Sequence, residues 1–275
     1  MSPRARSSPV TLLTDFGLED AYVGVMKGVI LGINPVACIV DITHAVRPGD
    51  IAGARFILAN AARFFPAGSV HVAVVDPGVG SGRRAIIVRA GEFHFVGPDN
   101  GIFTGFFPEA EKIVSITNEK FMLRPRREKS FSALFAGGTT FDGRDVFAPA
   151  AAWLSRGVMA EEFGPEIEDP VELPLPGPVL EKGSIRGRVV HADRFGNCIT
   201  DIGFDLLQRL GKEKEVLVRV KRRTIGLVGF YLSRPDGRPH ALINSSGLLE
   251  IFIPGGDAAR ALGLKAGDTV RVFRI

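Results

Sequence analysis

The stretch Ser69-Val70-His71-Val72-Ala73-Val74-Val75-Asp76-Pro77-Gly78-Val79-Gly80-Ser81-Gly82-Arg83 decides how this chain is read. Its valine-rich first half predicts a buried strand. The strand ends in an acid and a Pro-Gly turn, which presents the carboxylate at a sheet edge, where α/β proteins hold their ligands. Arg83 returns on the next strand, so one loop can bring a carboxylate and a guanidinium together. Two other acid-bearing turns share the form. Thr14-Asp15-Phe16-Gly17 follows the strand-like Val10-Thr11-Leu12-Leu13, and Thr140-Phe141-Asp142-Gly143-Arg144-Asp145 lies further on. Three such turns point to a site.

Outward from this stretch the first half alternates. Strands are predicted at Val10 to Thr14, Ala37 to Ile42 and Ser69 to Val75, with helices between them at Ala21 to Gly32 and Asp50 to Phe65. Asp50 has the character of an N-cap, and Asp20 of an acid in a first helical turn. This βαβαβ order predicts a mostly parallel central sheet covered by helices. A hairpin turned at Gly91 follows (Ala85 to Arg89, Glu92 to Val96), then a strand at Lys112 to Thr117 and a helix at Val146 to Arg156 holding Trp153. Prolines 165, 170, 174, 176 and 178 then mark a linker or extended crossover. Short β runs follow at residues 185–191, 198–202, 215–220, 227–232, 241–243, 248–253 and 269–275, which suits a small barrel or sandwich. The expected organisation is an N-terminal α/β domain over residues 8–164, a Pro-rich linker over 165–180 and a smaller all-β barrel domain over 181–275.

Composition narrows the class. The chain has 275 residues, enough for two domains, with 45% hydrophobic and 23% charged residues, as in soluble globular proteins. The formal net charge of +4 is mild. The densest basic stretch, Arg124-Pro125-Arg126-Arg127-Glu128-Lys129, is broken by proline and lacks interleaved aromatics, so it reads as a solvated loop and no nucleic-acid partner is expected. Cys38 and Cys198 stand far apart beside apolar residues and read as two buried, reduced thiols. Without a CxxC pair or Cys/His spacing, no metal site is predicted. No apolar run reaches membrane-spanning length, and the N-terminus lacks a signal-like apolar region, so a cytoplasmic protein is expected.

Each candidate group has a structural alternative. Gly78-Val79-Gly80-Ser81-Gly82 is not a dinucleotide fingerprint: the spacing differs, no GK[ST] follows, and a strand rather than a helix comes next. Asp15 sits directly at a strand end, where an acid can accept two ribose hydroxyls. His44, His71, His94, His191 and His240 are isolated, so no nucleophile triad can be assembled from spacing. Asp99-Asn100-Gly101 reads as a structural turn. Asp193-Arg194-Phe195-Gly196-Asn197 and Asn244-Ser245-Ser246-Gly247 read first as hairpin turns. A purine stacked on Phe195 and read by the Asn197 amide is the functional alternative.

Taken together, TDFG with an acid five residues on, VDITH, DPGVGxxxR, GPDNG, TFxGRDxFAPAAA, DRFGN and NSSGLLEI run in order from Thr14 to Ile251. The chain thereby resembles the S-adenosylmethionine hydroxide adenosyltransferase family, relatives of the fluorinase and chlorinase enzymes. The N-terminal tail, residues 120–138 and the Pro-rich segment lie outside the likeness. The resemblance implies an α/β domain with a C-terminal β-barrel, assembled as a homotrimer with S-adenosylmethionine as substrate at subunit interfaces. It implies no cofactor, no metal and no membrane. Attack at ribose C5′ by water yields adenosine and methionine; the halogenases use a halide instead.

Carried over by motif, Asp15 would hold the ribose hydroxyls. Asp20, Asp193 and Ser245 would hold the methionine portion, with Ser246 near its carboxylate. Phe195 and Asn197 would contact adenine, and Phe141 would lie among the substrate-binding residues. Asp76 and Arg83 correspond to the pair that marks hydrolases, against the Tyr of the halogenases, so hydrolysis is expected over halogenation. Two departures stand out. Asp142 takes the place of a His usual in TFHGRD, so it joins the catalytic candidates as a replacement base crowded against Asp76, or else marks a slower enzyme. Pro254-Gly255-Gly256 replaces an Asn-containing turn, and Pro254 removes one N–H donor. A binding protein that senses S-adenosylmethionine or adenosine is the alternative from another class. A basic RNA-associated protein is a third reading, resting only on charge.

Overall fold

The computed structural model describes residues 8–123, 140–174, 176–210 and 216–274. The basic stretch from Arg124 to Lys129 and residue 215 of a predicted strand lie outside the described residues. The chain divides into two compact units, Met1–Pro174 and Leu175–Ile275.

In the first unit β1 (Val10–Thr14), β2 (Ile39–Thr43) and β3 (Val70–Val74) alternate with α1 (Tyr22–Ile33) and α2 (Ile51–Ala61), followed by β4 (Ala85–Ala90), β5 (Phe93–Pro98) and β6 (Ala110–Ser115). The sheet order is β2-β1-β3-β5-β4-β6. β1 pairs in parallel with β2 and β3, and β3 with β5, while β4 runs antiparallel to β5 and β6. The mostly parallel α/β sheet predicted from the sequence is therefore observed. Every residue of β1 and β3 is buried, which explains why their sequences are continuously apolar rather than alternating.

The pleat sends alternate residues to opposite layers. Val10, Leu12, Val70, Val72 and Val74 pack with Met26 and Ile30 of α1 and with α3 (Ala148–Ser155). Leu13, Ala73, Val75 and Phe95 pack with Ala54 and Leu58 of α2 on the other face. Each of those large apolar side chains stabilises the fold by about 1.5–3 kcal/mol relative to exposure. The chain leaves β1 over one face and reaches its neighbour β3 from the other, which opens a crevice at the carboxyl ends of these strands.

Asp50 caps α2 by accepting from Gly53 N at 2.8 Å, as its position predicts. Asp20 does not cap α1. The N-cap is Ala21, without a side-chain bond, and Asp20 is exposed. Cys38 is exposed, not buried, because it enters β2 at the open edge of the sheet; Cys198 is buried. Burial pushes the Cys198 thiol up to about 12, so it stays protonated and unreactive. The predicted helix from Val146 begins with one wide π turn, Gly143–Phe147, before continuing as α3. The Pro-rich segment starts as a tether: Val171 N donates to Asp99 Oδ1 (2.7 Å) and Leu173 N to Thr104 Oγ1 (2.8 Å).

The second unit is an antiparallel, nearly closed barrel. Its strands are β7 (Val179–Glu181), β8 (Ser184–Ala192), β9 (Cys198–Gly203), β10 (Val216–Val220), β11 (Arg223–Gly226), β12 (His240–Ile243), β13 (Leu248–Phe252) and β14 (Thr269–Arg274), with α4 (Phe204–Gln208) and α5 (Ala258–Leu262). Their order is β11-β10-β14-β8-β9-β13-β12, with β7 beside β8 and a bridge from Leu227 to Ala241 drawing the ends together. The predicted strand over 227–232 is not formed. The chain instead pairs through the short segment Arg223–Gly226, after a tight turn with Lys221 at φ +50°. Residues 230–233 then make a turn closed by Ser233 N donating to Phe230 O (3.0 Å). Their apolar character serves an exposed wall rather than the core, because Phe230, Tyr231 and Leu232 are all exposed.

Candidate active site

In the first unit the ends of β1 and β3 lie side by side. β1 releases Asp15, and its turn is fixed from the β2 side: Gly17 N donates to His44 O (2.8 Å), and Thr14 Oγ1 contacts His44 Nδ1 (2.8 Å). Gly17 sits at φ +68°, a conformation glycine takes without penalty. Asp15 is half-buried, and its Oδ2 accepts from Gly49 N at 2.8 Å. His44 is buried and acts as a strut of this turn.

β3 releases Asp76, and the glycine-rich loop folds back through two turns, Val79 N to Asp76 O (3.2 Å) and Ser81 N to Gly78 O (3.0 Å). Arg83 closes the loop just before β4, short of the strand on which it was expected. Its guanidinium grips Asp76 with two bonds, Nε to Oδ1 at 2.7 Å and Nη2 to Oδ2. The same Nη2 donates to Asp142 Oδ2 at 2.8 Å. These three side chains are nearly buried, at 10% exposure for Arg83, 5% for Asp76 and 4% for Asp142. The acid and guanidinium read from one loop are thus joined by an acid 59 positions beyond Arg83. Asp76 and Asp142 are held by the same guanidinium nitrogen, with Arg83 between them.

A cavity of about 160 Å³ opens beside this cluster, lined by Asp76, Asp142, Phe16, Tyr22, Phe141, Val74, Val79, Thr140 and Gly143. Phe16, Tyr22 and Phe141 contact one another at centroid distances of 5.1–5.9 Å. Two carboxylates and one guanidinium sum to a formal charge of −1, beside three aromatic rings. Such a chamber suits a compact organic cation, attracted by the charge and by ring faces. Fixed carboxylates can also orient a water and accept its proton. Asp15 and Asp20 do not line this cavity.

The second unit holds the other predicted residues. Asp193 Oδ1 accepts from Phe195 N and Asn197 N, both at 2.9 Å, and Oδ2 accepts from Asn197 Nδ2 at 3.3 Å. Asp193 therefore builds the β8–β9 turn. Gly196, at φ +82°, leaves no room for a side chain because a Cβ would collide with the Asp257 carboxylate. The turn holds the Phe195 ring outward, 76% exposed. Beside it lies a groove of about 700 Å³ lined by Asp193, Phe195, Asn197, Tyr231, Leu232, Phe252, Ile253, Pro254, Gly255, Gly256 and Asp257. A flat heteroaromatic ring fits such walls. Ser245 and Ser246 lie in the β12–β13 turn and are not lining residues.

Sequence reasoning missed Tyr22, Tyr231, Leu232 and Asp257. Only Asp257 left a readable signal, an acid before the apolar helix α5, where it accepts from Arg260 N at 2.7 Å as N-cap. Among the described residues no cluster of His, Cys, Asp or Glu is arranged to hold a metal ion. Nor, among the described residues, is any helix long and apolar enough to cross a membrane.

Fold and site together define a two-unit protein, an α/β sheet whose strand ends carry an acid–arginine–acid cluster and a β-barrel with an aromatic groove. The chain belongs to the SAM hydroxide adenosyltransferase family, whose N-terminal domain matches residues 10–164 and whose C-terminal domain matches residues 187–271. A Thermus thermophilus protein named (R)-S-adenosyl-L-methionine hydrolase is 42% identical over 96% of this chain and 99% of its own length. A crystal structure of an uncharacterized conserved protein from Thermotoga maritima superposes with a TM-score of 0.86 at 36% identity, covering 96% of this chain and all of that one. More distant is a protein named fluorinase from Actinoplanes sp., 27% identical over 98% of this chain and 99% of its own length.

Proposed function

We propose that this chain hydrolyses S-adenosyl-L-methionine to adenosine and L-methionine. The observation that carries the reading is the buried Asp76–Arg83–Asp142 cluster beside an aromatic chamber, in a chain 42% identical to a protein named as such a hydrolase. In the reaction, water oxygen bonds to ribose C5′ while the C5′–S bond breaks and its electron pair stays on sulfur. The leaving group is a neutral thioether, so no general acid is required. One proton is lost from the water.

Asp76 receives or orients that proton, and Arg83 holds the carboxylate in line. Asp142 sits where it can share the task, since one guanidinium nitrogen binds both acids. Asp15 takes the ribose hydroxyls. Phe195 and Asn197 take adenine, while Asp20, Asp193, Ser245 and Ser246 serve the methionine portion and Phe141 walls the chamber. A cavity of 160 Å³ is smaller than the roughly 300–1,000 Å³ of a full ligand pocket. A homotrimer, in which a neighbouring subunit completes the site, is therefore part of this reading, as are cytoplasmic placement and action without a cofactor.

Chromatography of the purified protein incubated with S-adenosylmethionine, with and without chloride, tests it. The expected products are adenosine and methionine in equal amounts, indifferent to chloride. Asp76→Ala should lower turnover by about 10²–10⁴ with less effect on ligand affinity. A chloride-dependent chlorinated nucleoside would replace hydrolysis with halogenation. Binding without any product would reduce the chain to a sensor.

A further inference from the structure

Glu250 stands out among the acids that the proposed chemistry does not use. It lies in β13, which is hydrogen-bonded on both sides by β12 and β9, and is only 3% exposed. It does not share the main barrel core of Leu249 and Ile251. Leu242, its cross-strand partner, and Phe252, two residues on, form a small outer cluster with Val228. Among the described residues Glu250 has no salt-bridge partner. Burying a carboxylate without a cation is costly, so a retained one calls for hydrogen bonds that repay it.

Two such bonds are present. Tyr231 Oη donates to Oε1 at 2.7 Å, and Asn244 Nδ2 donates to Oε2 at 3.1 Å. Tyr231 is a wall of the aromatic groove, and its ring meets Phe252 edge-on, with centroids 4.9 Å apart. Asn244 opens the β12–β13 turn, and its Oδ1 accepts from Ser246 N (3.0 Å) and Leu248 N (3.1 Å). One buried carboxylate thus ties the groove wall to the turn carrying Ser245 and Ser246.

We propose that Glu250 is a positioning residue for ligand binding, setting the Tyr231 ring and the Asn244–Ser246 turn as one unit. This rests on the proposed function, because the ligand portions assigned to groove and turn come from that reading. Partial burial of the phenol and the Glu250 carboxylate both push the Tyr231 hydroxyl above its usual range, a handle that reports on the contact itself.

Glu250→Gln keeps size and can hold Asn244 on its amide oxygen, but its Nε2 then faces Tyr231 Oη, which must turn from donor to acceptor, and both bonds lose the carboxylate charge. Asn244 cannot rotate its amide to compensate without losing the bonds to Ser246 and Leu248. The expected result is a KM for S-adenosylmethionine raised about tenfold, as two charge-assisted bonds become neutral ones, with kcat within about twofold. Adenosine affinity by calorimetry should fall in parallel. Tyr231→Phe should reproduce this shift, and the double variant should be no worse than the more affected single one. The chain has two tyrosines, so in a Tyr22→Phe background tyrosinate absorbance reads Tyr231 alone. Glu250→Gln should ionise at lower pH than its Glu250 parent.

Unchanged KM and adenosine affinity in Glu250→Gln would overturn the proposal, as would a fall in kcat at constant KM or an unchanged tyrosinate titration. If Glu250→Gln does not fold, Tyr231→Phe decides alone, and unchanged affinity there overturns it. Failure of the wild type to form adenosine would remove the proposed reaction without touching this test, which calorimetry with adenosine still decides. A wild type that binds no adenosine would overturn the positioning role.

Discussion

The two concave regions are built on opposite principles. The chamber in the α/β unit is small and charged, with three ionic side chains locked against one another at strand ends. The groove in the barrel is more than four times larger and mainly apolar, with three aromatic rings among its walls, and the buried Glu250 stands behind it. A chamber that holds reacting atoms gains from fixed charge and tight geometry. A groove that recognises a flat ring gains from apolar area and tolerates openness. Under the proposed function, the contrast gives chemistry and recognition to different scaffolds, each suited to its task.

The sharpest way to break the contrast is Arg83→Ala, which leaves two buried carboxylates facing each other without their cation. It should abolish turnover and cost about 3–5 kcal/mol of stability, the penalty of opening a buried ion pair. Denaturant unfolding beside a turnover assay checks both. Loss of activity at full stability would show that the cluster is catalytic without being structural.

Next in size is a control at the opposite end of the same sheet. His71 lies in β3 with no exposed surface, bonded through Nδ1 to Thr11 Oγ1 (2.8 Å) and stacked on Phe95. Burial lowers its pKa from 6.5 to about 4. A histidine depressed on folding binds its proton more tightly when unfolded, so stability is lost as pH falls from about 6.5 toward 4. The loss reaches about 3 kcal/mol at the acid end. His71→Leu should flatten stability between those pH values while leaving turnover at neutral pH intact. An unchanged pH slope would assign acid sensitivity elsewhere.

Asp15→Ala should weaken ligand binding by about 1.5–3 kcal/mol through lost bonds to a charged acceptor. Phe195→Ala should cost about 1–3 kcal/mol of adenosine affinity, the worth of one base–aromatic stack, with no change in the chemical step. Calorimetry separates these from Arg83→Ala. If Phe195→Ala slows chemistry instead, the division between groove and chamber fails.

Much of this was legible in the sequence, for identifiable reasons. β1 and β3 are buried on both faces, so their valine-rich runs could mean little else, and Asp76 and Arg83 share one short loop. β11 was illegible because Arg223-Thr224-Ile225-Gly226 sends only Ile225 into the core, while Phe230, Tyr231 and Leu232 looked like a strand although they are exposed. Asp142 meets Arg83 across 59 positions, which no local spacing encodes; its acid-bearing turn marked it as a candidate, but only the family resemblance placed it beside Asp76. Glu250 was invisible for a related reason. Its partners lie 19 and 6 positions before it, and a lone acid in a strand carries no sign of what will donate to it.

The formal charge of the Asp76–Arg83–Asp142 cluster bears on the far side of the catalytic cycle as well. In the proposed reaction a sulfonium enters, while the products adenosine and methionine carry no net charge. The attraction that draws substrate toward the two acids is therefore switched off by the reaction itself. Once the released proton has left, the chamber is anionic again and holds nothing that complements it. Product departure becomes the downhill end of the cycle, and the next cation outcompetes the spent thioether.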